Sequence, residues 1–466
     1  MSSLTWDPMA WATENFSACQ LHNQARNRRL IKIAVQLVRR TDGSLPQQTE
    51  SWADCKSAYR FFREDRISYQ DLIAPHCRLT RQSCQPGDVK LIICDTTEID
   101  YTSLRQTQGL GPIGNGKTRG FFLHSALMVD AGPQHQTDGL AAQEVFYRRV
   151  RSQPKSTSNN ASRSKADRES AVWGRVIDAV GRPPEGVTYK HVCDRGADDI
   201  EVLHRAVHQG CGFVIRVSRM KRKVLTDDGR KLPLVEVLPE WPGVGDTRRI
   251  SLPATRKSSA RVAHMTLRYG TVLLPVSRLT PWLKEHRPTG PLRVGVVELL
   301  EQSPPKGQKA IRWVLYTDTP VTSEAEANRI VEYYEQRWRI EEFHKALKTG
   351  CGVEQRQLQT AQRLERLVAV SSVVATRLLQ LKTAARETPQ RPARELLPAH
   401  WIEVLQILRQ RPRTADLTIS TFLRQLAGLG GFLGRKGDGE PGWITIWRGF
   451  DKLLMAVRVH EYKPPK

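Results

Sequence analysis

The chain has 466 residues, 39% of them hydrophobic, and carries 72 Lys plus Arg against 48 Asp plus Glu, a formal net charge of +24. That length predicts two or three domains, and so basic a balance points to a polyanionic partner, most simply nucleic acid. No apolar run approaches the roughly 18 residues of a membrane span, and "MSSLTWDPMAWATENF" lacks the basic start and apolar core of a secretory signal, so no membrane partner and a cytoplasmic, nucleoid-associated location are expected.

Residues 1–70 read as a basic helical unit of the kind that binds DNA. In "ARNRRLIKIAVQLVRR" (25–40), Leu30, Ile33, Ala34, Leu37 and Val38 share one face. Arg26, Arg28 and Arg29 lead into that helix and are candidates for phosphate or base-edge contacts. "SWADCKSAYRFFRED" (51–65) begins at a Ser51 cap and interleaves aromatic with basic residues. A purely structural, solvated basic domain remains the alternative.

The texture changes near residue 88. "VKLIICDTTEIDY", "GFFLHSALMVDA" (120–131), "VTYKHVCDRGADD" (187–199) and "CGFVIRVS" (211–218) read as strands, and "AVWGRVIDAVG" (171–181) reads as a helix. The serine-rich, basic stretch 148–170 reads as a mobile loop. Proline-broken strands from about 219 to 311 read as a β-rich insertion, after which "IRWVLYTDTPV" resumes the sheet pattern. The expected fold is therefore α/β: a mixed-sheet domain over 71–381, between helical N-terminal (1–70) and C-terminal (382–466) domains. "LVAVSSVVA", from Leu367, reads as a buried helix. Cys19, Cys55, Cys77, Cys84, Cys94, Cys193, Cys211 and Cys351 form no CxxC pair, so reduced, mostly buried thiols are expected rather than a zinc site.

Asp95 and Asp194 each stand where an apolar run ends, the edge at which open α/β sheets bind ligands, although a lone Asp there is more often a turn former or a cap. Downstream, "YYEQRWRIEEFHKALKTG" (333–350) has no internal Gly or Pro and reads as one helix that Gly350 caps. At about 100° per residue, Tyr334, Arg337, Glu341, Lys345 and Lys348 fall in a stripe roughly 80° wide, with Tyr333, Ile340, Phe343 and Leu347 on a packing face. Three carboxylates from separate elements would suit a hard divalent cation, and the flanking phenol and cations would suit phosphates. Surface ion pairing at i, i+4 explains the same stripe, and pattern alone leaves both readings open.

The spacing Y-(2)-R-(3)-E-(6)-K set by Tyr334, Arg337, Glu341 and Lys348 resembles the motif of the insertion-sequence family-four transposases. "DTTEIDY", "RGFFLHSALMV", "VCDRGAD", "FVIR" and "PVTS" follow in family order, with "AYRFF" near the start and "LAGLGGF" near the end, so the resemblance spans essentially the whole chain. It implies a cut-and-paste DNA transposase with an RNase H-like core, working through nicking, hairpin formation, hairpin opening and strand transfer. Asp95, Asp194 and Glu341 match the metal-binding carboxylates, for two Mg²⁺ ions with Mn²⁺ as a substitute. Tyr334, Arg337 and Lys348 match residues that position end phosphates, with Lys345 and Arg216 in the same role, and Trp313 matches a tryptophan that stacks a flipped base. Terminal inverted repeats, target DNA and a second copy of the chain in a synaptic homodimer are the implied partners. A metal-dependent nuclease on the same core and a non-catalytic end-binding repressor are the competing functions.

Overall fold

A computed structural model describes residues 7–148, 169–252, 260–276, 280–308, 310–410 and 417–461. The loop read at 148–170 therefore lies almost wholly outside the described residues. The chain divides into two compact units, one formed by residues 1–84, 96–150 and 339–466, the other by 85–95 and 151–338.

The first unit begins with helices whose starts are written in the sequence. Asp7, Asn23, Ser51 and Ser68 cap Pro8–Phe16, Gln24–Arg39, Trp52–Arg63 and Tyr69–Gln82, each side chain accepting a backbone N–H of the first turn. At Ser68 the carboxylate of Asp71 returns the bond and completes a capping box. An antiparallel ribbon follows: β2 (Gly111–Ile113), β3 (Thr118–Asp130) and β4 (Thr137–Phe146). The core of this unit is the helix Ala361–Glu387, which contains "LVAVSSVVA". It is the one described helix long and apolar enough to cross a membrane, yet 83% of its apolar window is buried inside the protein. Its buried Arg366 donates to the carbonyls of Phe62 and Ile67, tying the N-terminal helices to it. The C-terminal helices Ile419–Leu429 and Trp443–Glu461 meet through glycine, because a Cβ on Gly430 would strike the Thr445 carbonyl and one on Gly449 the Leu426 carbonyl.

The second unit is built on a mixed sheet. β1 (Val89–Asp100) pairs in parallel with β5 (Thr188–Cys193), and β5 with β6 (Gly212–Arg216). β6 then runs antiparallel to β12 (Arg312–Thr317), and β12 to β11 (Leu292–Gln302). The 219–311 stretch supplies β11 and, beyond it in the same sheet, β7 (Lys223–Leu225), β8 (Lys231–Pro233), β9 (Val244–Leu252) and β10 (Arg261–Leu274). Helices Val172–Val180 and Ile200–His208 flank β5 in sequence, as parallel pairing requires of its crossovers.

Two local expectations change. β1 does not stop at Asp95: its partner β5 does, and the β-branched Thr96, Thr97 and Ile99 carry the extended chain on to Asp100. Nor is 333–350 one uniform helix. It comprises the end of Glu324–Glu335, a 3₁₀ turn at Gln336–Trp338, an α-helical piece Arg339–Lys345 and a π turn at Ala346–Gly350, with Cys351 rather than Gly350 at the C-cap. Gly350 serves close approach instead, since a Cβ there would collide with the Trp447 indole.

Candidate active site

Register sets the first pair of carboxylates. On β1 and β5, Cys94 is paired with Cys193, both buried, and the next residue of each strand is an aspartate. Asp194 therefore stands just past the carboxyl end of β5, level with Asp95 inside the longer β1. Asp194 turns at once into a 3₁₀ turn, Arg195–Ala197, and its Oδ1 accepts the Gly196 N–H at 2.7 Å. Arg337 places Nη1 3.5 Å from Asp95 Oδ2, an ion pair rather than a tight hydrogen bond.

A second cluster belongs to the same unit. Tyr334 is buried and meets Trp313 edge to face, with centroids 5.2 Å apart. Arg216, at the end of β6, lies over the Trp313 ring at 5.9 Å and donates to the Arg312 carbonyl at 3.1 Å. Burial raises the pKa of the Tyr334 hydroxyl, and the cations of Arg216 and Arg337 pull it back in part. Asp95, Asp194, Arg216, Trp313, Tyr334 and Arg337 thus lie in one unit.

Glu341, Lys345, Lys348, Arg26, Arg28 and Arg29 belong to the first unit. Glu341 and Lys345 are exposed on Arg339–Lys345, and Lys348 pairs with Glu354 at 3.3 Å. Glu342 is held by Lys382 Nζ at 2.5 Å and by Trp443 Nε1, which donates to it at 3.1 Å. Of the doubled tyrosines, Tyr334 is the more buried and Tyr333 only half-buried, the reverse of the phase count. Arg26 and Arg29 are held by Glu64 and Asp54, at 2.5 and 3.1 Å, whereas Arg28 is exposed. Lys32, ahead of Arg29, also holds the Asp54 carboxyl below its usual pKa.

One surface was missed. Along Trp52–Arg63 the exposed residues include Trp52, Lys56, Tyr59, Arg60 and Arg63, while Asp54, Cys55, Ala58, Phe61 and Phe62 are buried. Tyr59, Arg60 and Arg63 line a groove of 860 Å³ together with Arg105 and Arg363, and among the described residues no carboxylate lines it. The interleaving of aromatic and basic residues in 51–65 was the available signal.

The chain matches the family described as "Transposase DNA-binding" over residues 8–67, "Transposase DDE domain" over 168–375 and "Transposase Tn5 dimerisation domain" over 373–464. It belongs to the Tn5-like DDE transposases. The transposase is accordingly a DNA-binding, dimer-forming, metal-dependent polynucleotide transferase on a mixed α/β, RNase H-like core. Asp194 and Glu341 fall inside the DDE match, and Asp95 precedes it. Arg26, Arg28 and Arg29 fall inside the DNA-binding match.

DDE chemistry implies a divalent cation. Among the described residues no three His, Cys, Asp or Glu side chains gather closely enough to hold an ion unaided. The donor chemistry of the β1–β5 pair nevertheless fits a hard cation: the carboxylates of Asp95 and Asp194 come level with each other, and the thiols of the preceding Cys94 and Cys193 are buried.

Proposed function

We propose that the transposase moves DNA by cut-and-paste, with Asp95, Asp194 and Glu341 as its metal-holding carboxylates and two Mg²⁺ ions, replaceable by Mn²⁺, as the resident metal. The observation that carries this reading is the Cys94–Cys193 register pair, which brings two aspartates level beside Arg337. Bound by those oxygens, the cation supplies Lewis-acid neutralisation of charge on the reacting phosphate.

Four displacements at phosphorus follow from one arrangement. A water oxygen attacks at the transposon end and the 3′ oxygen leaves with the bonding electrons. That 3′-OH attacks the opposite strand and closes a hairpin as the 3′ oxygen of the flanking DNA leaves; a second water opens it and expels the transposon's 3′ oxygen; the restored 3′-OH then attacks target DNA, whose own 3′ oxygen leaves. Arg216, Arg337, Lys345 and Lys348 counter phosphate charge, and Tyr334 sets a phosphate's position. Trp313, its ring oriented by Tyr334 and Arg216, offers a face to the base that a hairpin must unstack. Arg28 and the arginine-lined groove bind the terminal inverted repeat, and 382–466 joins two end-bound copies into the synaptic homodimer. A chain of charge +24 with these ligands works in the cytoplasm, on the nucleoid.

The test is cleavage of a labelled transposon-end duplex with Mg²⁺, with products separated on a denaturing gel. The transposase gives a nicked strand and then a hairpin. Asp95→Asn and Asp194→Asn bind the end and give neither, and strand transfer of pre-cleaved ends stays below about a thousandth of wild type. Nicking without a hairpin, or strand transfer above that level, defeats the single-site reading.

A further inference from the structure

Four residues beyond Asp194, the chain buries a second carboxylate. The Asp198 side chain has no solvent exposure and faces the strand that leaves the sheet beside it. Its Oδ2 accepts the Ser218 N–H at 2.8 Å, the Ser218 hydroxyl at 3.0 Å and the Arg219 N–H at 2.8 Å. Arg222 brings Nη1 to 2.7 Å from Oδ1, donates Nη2 to the Asp198 carbonyl at 3.1 Å, and lies over the Tyr316 ring at 5.7 Å.

Within itself the turn between Asp194 and Asp198 has one short bond, from Gly196 N–H to Asp194 Oδ1 at 2.7 Å. Its backbone bonds, Ala197 N–H to the Asp194 carbonyl and Asp198 N–H to the Arg195 carbonyl, are both 3.3 Å, beyond the usual length. The far side of the clamp is firm, because Val217 N–H donates to the Val314 carbonyl at 2.7 Å and fixes the chain just past Arg216 on β12. A charge with no solvent and several protein donors is costly to bury unless its geometry is kept, so such a carboxylate pins two segments more tightly than a surface pair does.

We propose that Asp198 is a positioning residue for the metal site: it pins the turn that carries Asp194 to the end of β6, and so sets the Asp194 carboxylate and its spacing from Arg216. The proposal rests on Asp194 being a metal ligand, as read above. It assigns Asp198 no contact with metal or DNA.

The test uses the full-length transposase with a transposon-end duplex. Two readouts are taken against Mn²⁺ concentration: the metal-induced rise in thermal midpoint and the rate of nicking. Asp198→Asn is expected to raise the half-saturating Mn²⁺ in both readouts by about ten- to a hundredfold, as loss of a ligand's support typically does. Nicking recovers to within about tenfold of wild type at saturating Mn²⁺, and metal-free binding of the duplex is unchanged. Folded Asp198→Asn with wild-type half-saturation overturns the positioning role while leaving Asp194 as a ligand. The control is Asp194→Asn, which should lose the metal-induced shift; if it keeps the shift, the ligand assignment itself falls, and this proposal with it. Should Asp198→Asn fold poorly, Ser218→Ala removes a single donor and is expected to raise half-saturation about two- to threefold. No rise there overturns the proposal as well.

Discussion

Glu341 and Glu342 are adjacent and chemically identical, so exchanging each for Gln separates catalysis from support. Glu342 is about 15% exposed and its partner Lys382 about 20%, with 2.5 Å between Oε2 and Nζ. The same oxygen accepts from Trp443 Nε1 at 3.1 Å, and the Lys382 ammonium lies 4.5 Å from that indole's centroid. Glu342→Gln keeps an acceptor for the indole and loses the charge facing Lys382. A charge-assisted bond in such a setting contributes about 1.5–3 kcal/mol, and retention of the indole contact brings the expected loss to about 1–2 kcal/mol. At about 2–4 °C per kcal/mol for units of this size, the thermal midpoint should fall by several degrees. Nicking should stay within tenfold, about 1.4 kcal/mol of barrier. Glu341 is more exposed than Glu342, so Glu341→Gln should lower the thermal midpoint less than Glu342→Gln does, while nicking falls at least about a thousandfold.

Scanning fluorimetry and a nicking time course on the same preparations read both quantities. Lys382→Met alone and combined with Glu342→Gln completes a double-mutant cycle, and a coupling above about 0.5 kcal/mol is expected for groups in direct contact. Dead, fully stable Glu342→Gln beside active Glu341→Gln would refute the assignment of the two roles.

Tyr334→Ala should cost about 3 kcal/mol or more, as truncation of a buried aromatic does, whereas Tyr334→Phe should keep the midpoint and slow hairpin formation or strand transfer on a gel. His76 is held neutral by burial, which depresses its pKa to about 4, with Nδ1 paired to Asn15 Oδ1 at 2.7 Å and Nε2 accepting the Leu140 N–H at 3.1 Å. The folded value lies below the unfolded one, so this stabilisation is complete above about pH 6.5 and is lost on acidification toward pH 4, by about 2 kcal/mol at pH 5; urea midpoints at pH 7 and 5 should show it, and His76→Gln should flatten the difference. Arg28→Ala should lower the salt slope of end binding by about one, while Arg26→Ala, which breaks the Glu64 pair, should chiefly lower the thermal midpoint; equal slopes for wild type and Arg28→Ala would move recognition to Arg60 and Arg63.

Much of the fold was legible because its signals are local. The Ser51 cap and the short apolar runs of β1, β3, β5 and β6 each act within a few residues, and the structure uses them there. The pairing of Asp95 with Asp194 was half legible: each run ends in an aspartate, but only the register Cys94 to Cys193 shows that the two ends are level. What the sequence hid is contact at a distance. Arg26 and Arg29, candidates for DNA contact, pair with Glu64 and Asp54, 38 and 25 residues away, which no local pattern signals.

The catalytic segment shows the limit of periodicity itself. Placing Tyr334 and Glu341 on one stripe assumed 3.6 residues per turn throughout, whereas residues 336–338 wind at three per turn. Three residues at about 120° advance roughly 60° further than three at 100°, most of the width of the stripe. The uniform count therefore fails at the point where the motif's tyrosine and glutamate are separated. It also explains why the count chose Tyr333 for the packing face when Tyr334, drawn in by Trp313 on β12, fills it. The Y-(2)-R-(3)-E-(6)-K spacing survives that error because it counts residues along the chain, and a change of winding alters their angles but not their order.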